Sequence, residues 1–155
     1  MSKTKRAWTV ILSVLVALTL AVIWGNSLLS KESSAAESAE VHGALSGLLD
    51  YIFGEGVITV DVLRKLAHFF EFFILGAEVC FLVFVITGLK IKPFLIILPA
   101  GLVVAATDEL LQFISKRGPS VTDVVIDFSG YASAFCIFAL VILIRYLSKR
   151  KRKPE

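Results

Sequence analysis

The chain has 155 residues, of which 57% are hydrophobic and 19% charged, and its mean hydropathy is +0.83. A soluble domain of this length carries more charge, and its apolar residues recur singly with a helical or strand period. Here they form long blocks, each near the roughly 20 residues that a helix needs to cross a bilayer. The net charge of +3 comes with a basic C-terminal tail that lacks interleaved aromatic residues, so we expect no nucleic-acid partner.

Four apolar blocks predict an all-α membrane protein, a bundle of four transmembrane helices in a single domain over residues 1–155. The blocks cover about residues 7–29, 62–87, 93–115 and 123–147. In the last block, Gly130 and Ala134 form a pair of small residues four positions apart, a spacing that lets two helices approach closely. The lipid bilayer is therefore the first expected partner of this chain.

A polar segment, residues 30–61, separates the first two blocks. Within it, Ser34 and Glu37 form a capping-box pattern, which predicts the start of a helix. Apolar residues then recur at helical spacing up to Gly54, a residue that favours helix termination. These apolar residues are Val41, Leu45, Leu48 and Ile52. We expect a short amphipathic helix lying on the membrane surface.

The basic residues predict the orientation of the bundle. Eleven of the 16 precede the first block, join the second to the third, or lie at the end of the fourth and beyond it: Lys3, Lys5, Arg6, Lys90, Lys92, Arg145, Lys149, Arg150, Lys151, Arg152 and Lys153. These segments share one side of the membrane, which the positive-inside rule makes cytoplasmic. Of the 13 acidic residues, only Glu155 falls on that side. Both termini are therefore expected in the cytoplasm.

Polar residues from three blocks are expected at one depth, near the outer surface. Arg64, His68 and Glu71 stand at positions i, i+4 and i+7 and share one helical face. A charge at the bilayer centre costs from about 3 to more than about 10 kcal/mol, so such side chains must face the bundle interior or a wet cavity. Further polar residues at this depth are Asp108, Glu109 and Gln112 in the third block and Asp123 and Asp127 in the fourth.

Two interpretations of these polar residues stay open. In the functional one, His68, Glu71 and Asp108 are candidate catalytic residues. His68 and Glu71 would move protons, while Asp108, with Asp123 and Asp127, would orient groups or bind a divalent ion. The candidate ligand-binding residues are Arg64, Lys65, Glu109, Gln112, Arg117, Asp123 and Asp127. Arginine suits bidentate contact with a phosphate or carboxylate. In the structural interpretation, the cations pair with nearby acids and the cluster only holds the helices together.

The cofactor also stays open. Histidine and carboxylates suit a hard or borderline divalent ion, but no strict ligand spacing such as HExxH occurs, so the sequence does not favour a metal. The candidate metal ligands are His68, Glu71, Asp108, Asp123 and Asp127. Glu78 lies two turns beyond Glu71 on the same face. It either continues a polar track, as a proton relay needs, or is a single neutral, hydrogen-bonded carboxylate.

At these residues the sequence resembles the VanZ-like family of bacterial integral membrane proteins. The matching residues are the run Arg-Lys-Leu-Ala-His-Phe-Phe-Glu-Phe at 64–72, Leu75-Gly76, the run Asp-Glu-Leu-Leu-Gln at 108–112, Arg117, Ser120, Asp123, Asp127 and Gly130. The end of the first block, Trp24-Gly25-Asn26-Ser27, also resembles the family. Two positions depart from it, because Asp127 stands where many members carry Asn and Ala134 where a second glycine is common.

The resemblance implies four transmembrane helices, a multi-pass place in the bacterial cytoplasmic membrane and a link to the cell envelope. The founding member is associated with resistance to the glycopeptide antibiotic teicoplanin. We therefore expect an outer-leaflet site that binds or processes an anionic lipid-linked or peptidoglycan-related ligand, and an enzyme of this kind would be an intramembrane hydrolase or transferase. The alternative is a non-enzymatic protein that alters envelope properties by binding a lipid, an antibiotic or a partner protein. The sequence determines neither the ligand nor the oligomeric state.

Overall fold

The computed structural model describes residues 2–88, 91–118 and 120–151, which form five α-helices and, within those ranges, no strand. The helices are α1 (Lys3–Ser27), α2 (Lys31–Phe53), α3 (Val60–Thr87), α4 (Ile91–Ile114) and α5 (Val121–Lys151). All except α2 are long and apolar enough to cross a membrane. The predicted all-α bundle with four helices able to cross a membrane is confirmed, and no predicted boundary of these four differs from the observed one by more than four residues.

Helix α3 occupies the centre of the bundle. It contacts each of the other four helices and packs most extensively against α5. Its buried side chains Phe72 and Leu75 join Ile23 of α1 and Tyr131 of α5 in one apolar core. Large apolar side chains elsewhere on the four long helices are exposed, as expected for surfaces that lie against lipid tails rather than water.

Small residues allow the backbones of α3 and α5 to lie in direct contact. A Cβ atom on Gly130 would lie 3.0 Å from the carbonyl carbon of Phe69, and one on Gly76 would lie 2.7 Å from the carbonyl oxygen of Tyr131. Ala134 faces the same contact, with its Cβ 3.1 Å from where a Cβ of Gly76 would be. The predicted pair of small residues, Gly130 and Ala134, therefore does lie in a helix–helix interface.

Helix α2 exists, but its predicted start was wrong. Its N-cap is Ser30, whose Oγ accepts a hydrogen bond from the Ser33 amide at 3.2 Å, so Ser34 lies inside the helix instead of capping it. The helix ends before Gly54, as the sequence predicted, and this glycine adopts a φ of 97°. None of its residues is buried. His42 Nε2 lies 2.7 Å from the carbonyl oxygen of Ile58, and this contact attaches α2 to the segment before α3.

Contacts between helix ends define the two ends of the bundle. Lys5 Nζ donates to the carbonyl of Ile86 at 3.0 Å, so α1 begins beside the end of α3. At the opposite end, Ser115 Oγ donates to the carbonyl of Ser27 at 3.0 Å, so α1 and α4 end together. We call this opposite end the polar end. Four residues used to predict the orientation lie outside the described residues: Lys90, Arg152, Lys153 and Glu155.

Candidate functional site

Helix α1 contributes two polar side chains that were not among the predicted site residues. Ser27 is fully buried, and its hydroxyl donates to Asp108 Oδ1 at 2.6 Å. Asn26 donates through Nδ2 to Glu71 Oε1 at 3.1 Å. A polar pair that ends a long apolar helix is the signal in the sequence that could have identified them. Through these two residues, α1 becomes part of the same polar site as α3 and α4.

Asp108 of α4 is fully buried, and both of its carboxylate oxygens are hydrogen-bonded. Ser27 donates to Oδ1, and Gln112 Nε2 donates to Oδ2 at 2.9 Å, which agrees with the predicted i, i+4 stacking of Asp108 and Gln112. Both donors are neutral side chains. They fix the orientation of the carboxylate without supplying a compensating charge.

Asp127 of α5 is also fully buried, but its environment is different. Neither of its carboxylate oxygens has a hydrogen-bond partner among the described residues. The nearest basic group is His68 of α3, whose Nδ1 lies 3.6 Å from Asp127 Oδ1 and likewise has no hydrogen-bond partner there. This separation is longer than a hydrogen bond. Buried carboxylate oxygens normally have a partner, so a proton, a water molecule or a cation is expected at Asp127.

His68, Asp108 and Asp127 form a compact group, which we call the His-Asp-Asp cluster. Each residue offers one possible ligand atom, and the three atoms all lie within 4.8 Å of one another. The residues come from three different helices, α3, α4 and α5. The other two predicted metal ligands, Glu71 and Asp123, are not part of this group.

A cleft opens at the polar end between α1, α2, α3 and the segment that joins α4 to α5. It encloses about 630 Å³, including its open mouth, and we call it the main cleft. It is lined by Asn26, Leu29, Ser34, Glu37, Ser38, Val41, Leu63, Arg64, Ala67, His68, Glu71 and Arg117. Four of these were predicted site residues, whereas the contribution of α2 was not predicted.

A second, smaller pocket lies beside the main cleft and encloses about 240 Å³, including space open to solvent; we call it the side pocket. It is lined by Arg64, Lys65, His68, Gln112, Arg117, Asp123, Ile126 and Asp127. Arg64, His68 and Arg117 line both cavities and so stand between them. Among the predicted site residues, only Asp108 and Glu109 line neither cavity.

The two arginines have different surroundings. Arg64 forms an ion pair with Asp61 at 3.1 Å, as the structural interpretation of the cations predicted. Arg117 is 8% exposed, and within residues 2–88, 91–118 and 120–151 no carboxylate lies within 4.0 Å of it. Its one side-chain hydrogen bond in these ranges is a long one, 3.5 Å, from Nη1 to the carbonyl oxygen of Asn26. Burial, and next the charge of Arg64, lower the pKa of Arg117, while Asp108, Glu109 and Asp123 act in the opposite direction. A guanidinium stays charged in proteins.

Glu109 supports the backbone instead of lining a cavity. Its Oε2 accepts a hydrogen bond from the Ser120 amide at 2.7 Å, just before α5 begins, while Oε1 is buried with no partner in the described part of the chain. The carboxylate therefore connects the C-terminal part of α4 to the start of α5. This connection helps to place Asp123 and Asp127 against the other two helices.

The VanZ/LLP1 family model matches residues 7–144, a range that includes both cavities and the His-Asp-Asp cluster. The chain belongs to the VanZ/LLP1 family. Membership confirms the resemblance seen in the sequence and supports a multi-pass membrane protein of the cell envelope. No curated protein and no solved structure matches the chain.

In this VanZ/LLP1 family member, Glu78 lies apart from the polar end. It lines neither the main cleft nor the side pocket, and Thr19 Oγ1 donates to its Oε1 at 3.1 Å. Its Oε2 is buried without a partner among the described residues. This arrangement resembles the single hydrogen-bonded carboxylate that was one of the two predicted alternatives, because the side-chain partner of Glu78 among the described residues is Thr19.

Proposed function

We propose that this protein binds an anionic ligand, lipid-linked or peptidoglycan-related, in the main cleft. The observation that carries the proposal is the guanidinium of Arg117, which is buried and has no carboxylate within 4.0 Å in the described residues. The carboxylates of Asp108, Glu109 and Asp123 act on this charge only from beyond 4.0 Å. A buried charge without a direct partner is costly, and a phosphate or carboxylate of the ligand would supply bidentate hydrogen bonds to it. Arg64 lines the same cleft and would add a second cation.

The lining of the main cleft suits a ligand that is both anionic and apolar. Alongside Arg64, Arg117 and polar groups that include the carboxylates of Glu37 and Glu71, it includes Leu29, Val41 and Leu63. An anionic head would contact the arginines, and a hydrocarbon chain would lie against the apolar residues. We therefore favour a lipid-linked ligand over a small, fully hydrated anion.

We assign the polar end to the outer surface of the bacterial cytoplasmic membrane. The support is the distribution of basic residues, 11 of 16 of which belong to the segments at the other end, so that both termini are cytoplasmic. In this orientation α2, which buries none of its residues in the bundle, lies on the outer membrane surface and covers one wall of the main cleft. The ligand would then enter from the outer leaflet.

The proposal extends to processing of the ligand by an intramembrane hydrolase or transferase. His68 and Glu71 line the main cleft and are the candidates for proton transfer, and Asp127 lies 3.6 Å from the His68 ring. If the His68→Ala protein is as abundant as the wild type but no longer converts the ligand, this extension is supported. Full conversion of the ligand by that variant contradicts it. Resistance to a teicoplanin-type antibiotic is the envelope phenotype to measure in the same variant.

Binding is tested with a defined probe, an isoprenyl diphosphate added to the full-length protein in detergent micelles. Arg117→Gln should weaken binding by at least about 10-fold, because hydrogen bonds to a charged group contribute about 1.5–3 kcal/mol. The matched control is Lys116→Gln, which makes the same change in charge one residue away, at an exposed position that lines neither cavity. Equal weakening in the two variants, or no binding to the wild type, contradicts the proposal.

A non-enzymatic role is the second candidate, because hydrogen bonds from α1 tie the helices together through the same acids. Ser27 reaches Asp108 and Asn26 reaches Glu71, so these acids also hold α1 to α4 and α3. In this role the protein changes envelope properties by binding a lipid, an antibiotic or a partner protein. Asp108→Asn should then lower the abundance, thermal stability and phenotype together. A loss of phenotype at normal abundance and stability contradicts a purely structural cluster.

A further inference from the structure

We propose that the His-Asp-Asp cluster binds one divalent transition-metal ion, with zinc as the best fit. One nitrogen and two carboxylate ligands are a donor set that suits zinc and related borderline ions. Three protein ligands are also the number that zinc sites with an open fourth position use. The two carboxylates would balance the charge of the ion inside the bundle.

The unpartnered state of Asp127 points to a cation. Both of its oxygens and the facing nitrogen of His68 are buried and make no hydrogen bond within the described ranges. A single proton on Asp127 would leave its other oxygen unsatisfied, and at 3.6 Å it would give no normal hydrogen bond to His68. One metal ion would bind the facing nitrogen of His68 and the carboxylate of Asp127 at the same time, which a single proton at this separation does not do.

The spacing of the cluster fits ligands around an ion better than partners in a hydrogen bond. Two ligand atoms that are each about 2.1 Å from a tetrahedral zinc ion are about 3.4 Å apart. His68 Nδ1 and Asp127 Oδ1 are separated by 3.6 Å, and the third ligand atom, from Asp108, lies within 4.8 Å of both. A shift of less than about 1.5 Å brings all three to bonding distance.

The surroundings of the cluster supply the other features of a metal site. Asp108 is held in place by Ser27 and Gln112, as metal-binding carboxylates usually are by outer hydrogen bonds. His68 and Asp127 both line the side pocket, which lies beside the main cleft, so the cluster is next to space that is not filled by protein atoms. The sequence did not favour a metal because the three ligands come from three helices, and so have no short, recognisable spacing.

Metal binding is measured without any anionic ligand, so its failure and the failure of the proposed function are distinguishable. The full-length protein carries an affinity tag without histidine, is stripped with a chelator, loaded with zinc and freed of unbound metal. Elemental mass spectrometry should find about one zinc per chain in the wild type. Asp127→Asn should retain at most about one tenth as much. Ser27→Ala, which removes an outer hydrogen bond only, should weaken zinc binding about 10-fold.

Asp123→Asn is the matched control, because it makes the same change one turn earlier on α5, outside the cluster, and should retain zinc. Less than about one tenth of an equivalent of zinc in the wild type overturns the proposal, as does equal zinc in the wild type and Asp127→Asn. X-ray absorption spectroscopy is measured on the zinc-loaded wild type, so its result does not depend on whether a variant folds. It should show only nitrogen and oxygen neighbours at about 2.0–2.2 Å with one imidazole, and sulfur or several imidazoles in that shell would also overturn it.

Discussion

Alanine at position 130 is expected to force α3 and α5 apart beside the His-Asp-Asp cluster. The new Cβ would lie 3.0 Å from the carbonyl carbon of Phe69 and 3.2 Å from its Cα, and closer still to its carbonyl oxygen. Ordinary van der Waals contact begins at 3.4 Å. The carbonyl carbon of Phe69, at 3.0 Å, alone requires the helices to separate by about 0.4 Å, and the carbonyl oxygen requires more. Because these Phe69 atoms belong to the backbone, no side-chain rotation relieves the overlap.

We expect Gly130→Ala to lower the free energy of unfolding by about 2–3 kcal/mol, the upper part of the range for overpacked interiors. The measurement is an unfolding titration of the protein in bicelles. Gly25→Ala in α1 is the control, because no atom lies within 4 Å of the position of its Cβ. That variant should equal the wild type or gain up to about 1 kcal/mol from better helix propensity. A Gly130→Ala protein within about 0.5 kcal/mol of the wild type would refute the close approach of the two helices.

Three further predictions concern individual polar contacts. Ser27→Ala should lower the free energy of unfolding by about 1–3 kcal/mol, because it leaves an oxygen of buried Asp108 without its donor; an unchanged value would argue against the 2.6 Å hydrogen bond. His42→Ala should speed amide hydrogen exchange in α2 by up to about 10-fold, since it removes the contact with Ile58, whereas unchanged exchange would mean that other contacts hold α2. Glu78→Gln should leave proton flux in proteoliposomes as in the wild type, because Glu78 lines neither cavity, and a marked fall in flux would favour transport instead.

The number and approximate limits of the membrane-crossing helices could be predicted because lipid imposes a local requirement. Each crossing must satisfy its own backbone hydrogen bonds and present apolar side chains, and both properties are visible in a single stretch of sequence. The start of α2 was predicted less well. Ser30 and Ser34 can both cap a helix, and only the extended backbone of Ser30 in the structure distinguishes them.

The polar residues of the site could also be recognised from the sequence, because the high cost of an ionisable group in lipid makes each one conspicuous. Which of these residues lie close together could not be recognised from the sequence. Glu71 and Asp123 looked equivalent to His68 and Asp127 as metal ligands, yet only three of the five candidates have ligand atoms within 4.8 Å of one another. The polar pair Asn26-Ser27 at the end of α1 could have marked Ser27 as a candidate, but the sequence does not show that its partner is Asp108.

The sequence by itself therefore determined an all-α membrane protein, its family and the residues able to carry a charge or bind a ligand. Only the tertiary structure decided which of them meet, because that depends on the rotation and spacing of helices far apart in the chain. The closest spacing, between α3 and α5, depends on Gly76 and Gly130, where a missing side chain lets two backbones touch. That contact brings His68 within 3.6 Å of Asp127, while Arg117 stays without a carboxylate within 4.0 Å among the described residues.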